Sequence, residues 1–557
     1  MGELRVISAG AGTGKTHRLA NELVEALVDD ENGRVPIAPE GVVAVTYTRS
    51  AAAELEARVR TTLIERGHAD LGRRLAAARI GTVHSVCARL VDEHAFALGL
   101  APELSTLDDG SARAVFEDAL AASITDAQRL RLDELEQRVH LGDDASTFYG
   151  HVRAIVDRAR ANDLDDDALA RSCASSIESL LVNLPPRRPA DDVERQLLTA
   201  LDETLPNYLG KKWSQKIADE IDRAQRAALQ LRRGEPLRWS EWLALENCES
   251  LKNVAKAAAF HVEHQTLADD LTALITLTFD VARKAIHRYD ADKRSAGVID
   301  FGDQERLALQ VVEDTDTAVT LAADIQLLLV DEFQDTSPLQ MRLFRALRHI
   351  ARRTVVVGDE KQSIFGFRDA NPALFSEFAK ESDDVARLEV SHRSRPGLVR
   401  AVSAVFAQAF SATMAPNEVE LTPVGQDDPP QLGAHVERWW QETGPDDGRV
   451  DEDAVVAAGI AELLSTREAV VRGTVGLRSA VSRDIAVLCK TNAGCRSMAV
   501  ALSARGVPVL LRQRGLAKTW EARVIGAARR RTIVPWRRSA TKSQPTVRTK
   551  KKAKVTV

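Results

Sequence analysis

Three observations predict an α/β fold: a phosphate-loop domain with a large helical insertion, followed by a shorter, incomplete α/β segment. A short apolar strand at residues 5–8 runs into a glycine-rich loop and a helix. A second, wholly apolar strand at 325–330 ends in paired acids. The stretch between Ala101 and Val298 carries helical periodicity with few glycines.

In chain order, Arg5-Val6-Ile7-Ser8 reads as a buried strand, and from Thr16 the residues Leu19, Leu23, Ala26 and Leu27 recur at helical spacing. Between them lie Ala9, Gly10, Ala11, Gly12, Thr13, Gly14, Lys15 and Thr16. Small residues let successive N–H groups curl around a phosphate at a helix N-terminus. Lys15 can then reach the β- and γ-phosphates, and the Thr16 hydroxyl can hold Mg²⁺. Ala9 stands where the usual pattern has its first glycine. A dinucleotide-binding turn would leave the Lys-Thr pair without a role.

Lys15 and Asp331 are roughly 315 residues apart, far more than one strand–helix unit requires, so a whole domain is expected between them. Amphipathic runs such as Glu220–Leu229 supply it. Val298-Ile299-Asp300-Phe301-Gly302-Asp303 then returns to the core, and Ile325–Val330 ends in Asp331-Glu332-Phe333-Gln334-Asp335-Thr336. An acid at the end of such a strand lies beside the phosphate loop, where Asp331 can anchor Mg²⁺ through water and Glu332 can polarise an attacking water.

Farther on, a Pro/Asp-rich loop at Gly425–Pro430 precedes an expected strand at His435–Trp440. A helix around Val455–Leu464, an apolar strand at Ile485–Leu488 and a helix around Met498–Leu502 follow. From Arg523 onward there are twelve basic residues and no acid. Taking those twelve from the net charge of −6 leaves −18 on residues 1–522, so any contact of the body with a nucleic acid would have to come from a local patch or from stacking. The five cysteines have no metal-type spacing, and no stretch approaches the ~20 apolar residues of a membrane span. No secretory leader fits before the first strand, and a cytoplasmic location is expected.

Taken together, these segments resemble the UvrD/Rep-like superfamily-1 DNA helicases. Val330–Thr336 resembles their second motif. Val42–Leu55 resembles the motif after the phosphate loop, where an aromatic stacks on single-stranded DNA; Tyr47 holds that place, with Thr48 beside it. Ile80–Ser85 resembles the next DNA-contacting motif and brings in Thr82 and His84. Val357–Arg368 resembles the third motif, whose glutamine senses the γ-phosphate and whose aromatics stack on bases. Gln362, Phe365 and Phe367 match, and Arg368 joins the DNA contacts. Val390–Ser394 resembles the fourth, in which Arg393 would touch the γ-phosphate and His392 replaces the adenine-stacking tyrosine. The Asp300 segment is similar to one of the RecB and AddA branch. The adenine-reading glutamine often found upstream of the loop is not among Met1–Ser8, which leaves base selectivity open.

The resemblance implies a first RecA-like ATPase domain at 1–100 and 298–388, a helical insertion at 101–297, a partial second RecA-like domain at 389–522, and a basic tail at 523–557 expected to be disordered. It implies ATP and Mg²⁺ as cofactors, with Glu332, Gln362 and Arg393 catalytic. It further implies 3′-to-5′ movement on single-stranded DNA, or on duplex with a 3′ single-stranded tail. The setting would be recombinational DNA repair, away from any membrane and with a nuclease or helicase partner subunit. The patterns of the family's fifth and sixth motifs do not occur in the sequence, so the activity of this chain alone is expected to be impaired. A frameshifted or truncated reading frame is favoured over a short DNA-binding tail. The alternative is a non-motor, ATP-gated DNA-binding or partner-binding subunit.

Overall fold

The computed structural model describes residues 2–28, 35–100, 104–139, 148–208, 210–364, 372–382, 384–425, 432–433, 451–466, 470–473 and 476–511. Among the described residues, ten strands belong to the first of two compact units, Met1–Gln426. They are β1 (Glu3–Ala9), β2 (Val42–Thr46), β3 (Arg79–Thr82), β4 (Ser105–Thr106), β5 (Val298–Ile299), β6 (Leu327–Val330), β7 (Arg353–Gly358), β8 (Asp384–Leu388), β9 (Val390–Ser391) and β10 (Thr422–Pro423). Six of them form one sheet in the order β3-β2-β6-β7-β1-β8, with every pairing parallel.

The pleat explains why these strands read as unbroken apolar runs. Leu328 and Val330 enter one core, while Leu327 and Leu329 enter the core on the opposite face, and all four are fully buried. Each such side chain contributes ~1.5–3 kcal/mol by leaving water. Helices Lys15–Val28 and Arg49–Glu65 cover one face; Val83–Glu93, Phe301–Glu313 and Pro338–Ile350 cover the other. Glu22, buried in the first helix, pins it to the sheet through Arg5 (3.2 Å) and Arg353 (2.7 Å), and pairs with Arg18 of its own helix at 2.6 Å.

In a parallel sheet all C-terminal strand ends share one edge, and strand order decides which loops meet there. The ends of β6, β7 and β1 are adjacent and carry Asp331–Thr336, Asp359–Gln362 and the phosphate loop. The ends of β2 and β3, on the other side of β6, carry Tyr47-Thr48 and Thr82.

Between β4 and β5 the described residues are helical and form two cores of their own. One gathers Val193, Leu197, Trp239, Trp242 and their neighbours. The other packs Phe116, Phe148 and Val152 on Val281, Ala285 and Tyr289 of the helix Gln265–Ala296. That helix of 32 residues is about 48 Å long and stops at Gly297, whose φ of 66° is the left-handed cap that glycine adopts without steric penalty. Asp300 then caps the helix Phe301–Glu313 and ties the insertion to the sheet. Its carboxylate takes Arg160 at 2.8 Å, Tyr289 Oη at 2.8 Å and Lys293 at 3.1 Å.

Residues 389–425 belong to the first unit: His392 N–H donates to Gly12 O at 2.8 Å, and Lys361 Nζ donates to Glu418 O at 2.9 Å. In the second unit, Asp427–Val557, helices Glu452–Thr466 and Asn492–Ala504 pack through Ala457, Ile460, Met498 and Leu502. β11 (Val470–Gly473) and β12 (Gly476–Ser479) form an antiparallel hairpin.

One expectation is corrected. Ile485–Leu488 follows a 3₁₀ turn but forms no strand, and Leu488 is 95% exposed. Among the described residues it pairs with no strand: Ile485 N–H turns back to Ser482 O at 3.2 Å, and Ile485 and Val487 pack part-buried on the helices without a ladder partner. The expected strand at His435–Trp440 and the basic tail lie outside the described residues.

Candidate functional site

The phosphate loop is shaped by two glycines with left-handed backbone, Gly12 (φ 77°) and Gly14 (φ 88°), and by Thr13, whose hydroxyl donates to Gly10 O at 2.9 Å. Lys15 opens the following helix, so its ammonium is held at the helix N-terminus on the sheet edge. There it donates to Glu332 Oε2 at 2.8 Å and to Gln362 Oε1 at 3.5 Å. Three residues far apart in sequence thus meet at one ammonium.

Glu332 has φ 48° and ψ 43°; among the described residues only Asp163 shares such a backbone without being glycine. Left-handed geometry at a residue with a Cβ costs of order 1–3 kcal/mol and persists only where the surroundings enforce it. Here it turns the chain sharply at the end of β6, so Asp331 and Glu332 take separate places. Asp331 is 5% exposed, and its Oδ1 accepts the Glu332 N–H at 3.0 Å. Burial, reinforced by the Glu332 charge, pushes the Asp331 carboxyl up to about 6, against the pull of that hydrogen bond and of Lys15.

These groups fit a Mg-nucleotide. Thr16 and Asp331 offer hard oxygen donors, and among the described residues no group of three or more His, Cys, Asp or Glu side chains is placed to hold a metal. A Mg²⁺ held by Thr16 and Asp331 would therefore take its remaining ligands from phosphate oxygens and water, and when bound it would neutralise charge on those oxygens. On the other side of the loop, the Cβ of Arg393 lies 2.6 Å from where a Cβ on Gly12 would sit, which brings the fourth-motif segment against the phosphate loop. His392 and Arg393 are both exposed beside it.

A groove of about 840 Å³ runs along the same edge. Tyr47, Thr48, Thr82 and His84 line it from the β2 and β3 ends, and Glu332 and Gln362 line it from the phosphate-loop side. Thr48 and Thr82 cap helix N-termini, accepting from Ala51 N–H at 3.1 Å and Ser85 N–H at 3.3 Å, so two positive helix ends face the groove. The Tyr47 hydroxyl lies 3.1 Å from Gln340 Oε1 and 3.3 Å from Thr336 Oγ1; Gln340 reaches Glu305 at 2.7 Å, and Glu305 reaches His84 Nε2 at 3.1 Å. Burial, with the nearby Asp335, Glu305 and Glu332 charges, holds the Tyr47 phenol protonated far above its ordinary range.

Sequence reasoning missed the far wall of the groove, where the insertion supplies Arg113, Arg153 and Arg160, and where Phe301 packs on His84 at 4.7 Å between ring centres. It also missed the clamp on Glu332: Gln334 Nε2 donates to Glu332 Oε2 at 2.8 Å. Phe365, Phe367 and Arg368 lie outside the described residues. No helix among the described residues is long and apolar enough to cross a membrane.

Comparison with known proteins follows the same line. The chain is 23% identical to the A subunit of the ATP-dependent helicase/nuclease of Anoxybacillus flavithermus, over 91% of this chain and 49% of the relative. It is 24% identical to the protein of the same description from Lactobacillus delbrueckii subsp. bulgaricus, over 92% and 48%, and 28% identical to that from Pelotomaculum thermopropionicum, over 76% and 39%. The chain spans about half the length, or less, of these curated relatives. Residues 2–383, a range that includes five of the sheet's six strands, the insertion, the phosphate loop and the groove-lining residues, match the model of the UvrD/REP helicase N-terminal domain, and the chain belongs to that helicase family.

Proposed function

We propose that the chain carries the ATP-hydrolysing, single-stranded-DNA-binding part of a DNA helicase, moving 3′ to 5′ and acting in recombinational DNA repair. The observation that carries this reading is the groove that reaches Glu332 and Gln362 from the side of Tyr47, Thr48, Thr82 and His84. A strand in that groove and a nucleotide on Lys15 would touch the same short segment after β6, so each would change the other's surroundings. In this reading Lys15 and Thr16 bind the phosphates and Mg²⁺, and Asp331 orients the metal's water shell. Glu332 accepts the proton of the attacking water, and Gln362 and Arg393 meet the γ-phosphate.

The relatives are each described as one subunit of an ATP-dependent helicase/nuclease. By extension we assign this chain a partner subunit in a DNA-processing assembly. The test is Mg-ATP hydrolysis by the purified chain with and without single-stranded DNA, beside Lys15→Ala. Stimulation by DNA that Lys15→Ala abolishes supports the reading. Mg-ATP binding without any DNA-dependent turnover would instead favour a non-motor, ATP-gated DNA-binding subunit.

A further inference from the structure

Gln334 lies in the turn after β6, is 2% exposed, and uses both ends of its side-chain amide. Its Nε2 donates to Glu332 Oε2 at 2.8 Å, and its Oε1 accepts the Asp359 N–H at 2.9 Å. The Asp359 carboxylate in turn accepts from Gln362 Nε2 at 2.6 Å, and Gln362 Oε1 faces Lys15 Nζ at 3.5 Å. With Lys15 on Glu332 at 2.8 Å, the contacts close into a ring: Lys15, Glu332, Gln334, Asp359, Gln362. The backbone is fitted to this side chain, since a Cβ on Gly358 would sit 2.8 Å from Gln334 Oε1.

We propose that Gln334 is a positioning residue for ATP hydrolysis, fixing the Glu332 carboxylate and tying it through Asp359 to the γ-phosphate sensor Gln362. The inference rests on the ATP-hydrolysis reading above. When a triphosphate enters, Lys15 turns to the phosphates and leaves Glu332. Gln334 then remains as the donor on Glu332 Oε2. A neutral amide then keeps the carboxylate in place without forming an ion pair with it. In the step itself, the water oxygen bonds to the γ-phosphorus as the bond to the bridging oxygen breaks. The electron pair leaves with ADP, and the water proton passes to Glu332. Gln334 touches none of these atoms. Its second bond makes it responsive: Gln362 drawn toward a γ-phosphate loosens its hold on Asp359, and the Asp359 N–H is what Gln334 grips.

The test uses the full chain with single-stranded DNA, single-turnover hydrolysis of Mg-ATP with enzyme in excess, and Mg-ADP affinity from fluorescence titration. Gln334→Ala is expected to lower the rate at least about tenfold and leave Mg-ADP affinity within about twofold. Gln334→Glu keeps the size of the side chain but removes the N–H donor to Glu332 Oε2, so it should slow hydrolysis at least as much as Gln334→Ala and likewise spare Mg-ADP. A wild-type rate in Gln334→Ala or in Gln334→Glu, or loss of Mg-ADP binding in both variants, would overturn the inference and leave the hydrolysis reading standing. A wild-type chain that binds Mg-ATP and never hydrolyses it overturns both.

Discussion

The Lys15 ammonium donates to the Glu332 carboxylate at 2.8 Å, so the group expected to bind the γ-phosphate is held by the group expected to activate water. A nucleotide must compete with that ion pair. Glu332→Gln should therefore bind Mg-ATP more tightly than wild type while losing roughly 10²–10⁴-fold in turnover, because the amide takes no proton. Lys15→Ala should abolish binding altogether. Calorimetry at millimolar nucleotide checks both, and weaker Mg-ATP binding by Glu332→Gln would show that the ion pair does not compete with phosphate.

Asp331 supplies a pH dependence. Burial lifts its carboxyl from 3.8 to about 6. Between pH 6 and 4 the folded protein binds a proton there that the unfolded chain does not, so this group's contribution to stability rises as pH falls through 6 and levels off below 4. Above pH 6 the buried ion is a liability of roughly 1–3 kcal/mol. Asp331→Asn should thus melt at a higher temperature than wild type at pH 7.5 and bind no Mg-nucleotide. In wild type, Mg-ATP affinity should fall as pH drops through 6, since the metal needs the carboxylate. An affinity flat from pH 8 to 5 would contradict this.

How far the site was legible follows from where its signals lie. The strands flanking the phosphate loop could be read because parallel strands buried on both faces give continuous apolar runs ending in glycine or acid, as at Leu327–Val330. Glu332 was identifiable as one of two acids, but its left-handed backbone has no sequence mark. Gln334 stands within the same motif, yet nothing local says that its amide bridges Glu332 and Asp359. Arg113 and Arg153 each pair with an acid four positions on, at 2.7 Å and 3.6 Å, a spacing that in sequence marks an ordinary solvated helix face. Only the fold turns them to the groove. The run Ile485–Leu488 misled because four apolar residues specify neither a ladder partner nor a period.

The groove predicts a division of labour in DNA binding. Tyr47→Phe keeps the ring and gives up the hydroxyl's bonds to Gln340 and Thr336, so single-stranded DNA affinity should be nearly retained. Tyr47→Ala should lose ~1–3 kcal/mol of stacking. Arg153→Glu should weaken binding alike for all sequences and reduce the salt slope by roughly 0.7 for each phosphate it no longer neutralises. Titrations at two or more salt concentrations decide it; a Tyr47→Ala protein that melts early yet binds normally would assign the ring to the core instead.

Asp300 predicts a stability effect away from the nucleotide. Burial alone would raise its carboxyl, but the Arg160 and Lys293 charges overrule it and hold it well below the usual carboxylate range. A depressed group stabilises the fold above its unfolded pKa, and that contribution is lost as pH falls below about 4 toward the folded value. Asp300→Asn leaves two buried cations short of a partner and should cost about 3 kcal/mol at pH 7. The urea midpoint should fall, and the gap to wild type should close at acid pH. Equal midpoints at neutral pH would remove Asp300 as the link between insertion and sheet.

Arg393 and Gly12 give the sharpest separation of roles. Gly12 has φ 77°, and a Cβ there would lie 2.6 Å from Arg393 Cβ and 3.2 Å from Ser391 Oγ. Gly12→Ala must therefore both strain the loop and push the fourth-motif segment away, and the His392 N–H to Gly12 O bond of 2.8 Å goes with it. Mg-ADP and Mg-ATP affinity should both fall. Arg393→Ala leaves the loop intact and removes only a cation that would meet the γ-phosphate, where charge gathers as the bond to ADP breaks. Arginines in that position contribute roughly 10³–10⁵ in rate in other phosphate-loop enzymes. Arg393→Ala should accordingly slow hydrolysis by at least about two orders of magnitude, weaken Mg-ATP binding, and spare Mg-ADP. Arg393→Lys should recover little, because an ammonium lacks the planar fork that grips two phosphate oxygens. If Arg393→Ala weakened Mg-ADP as much as Mg-ATP, Arg393 would act through the packing of the loop and not through the γ-phosphate.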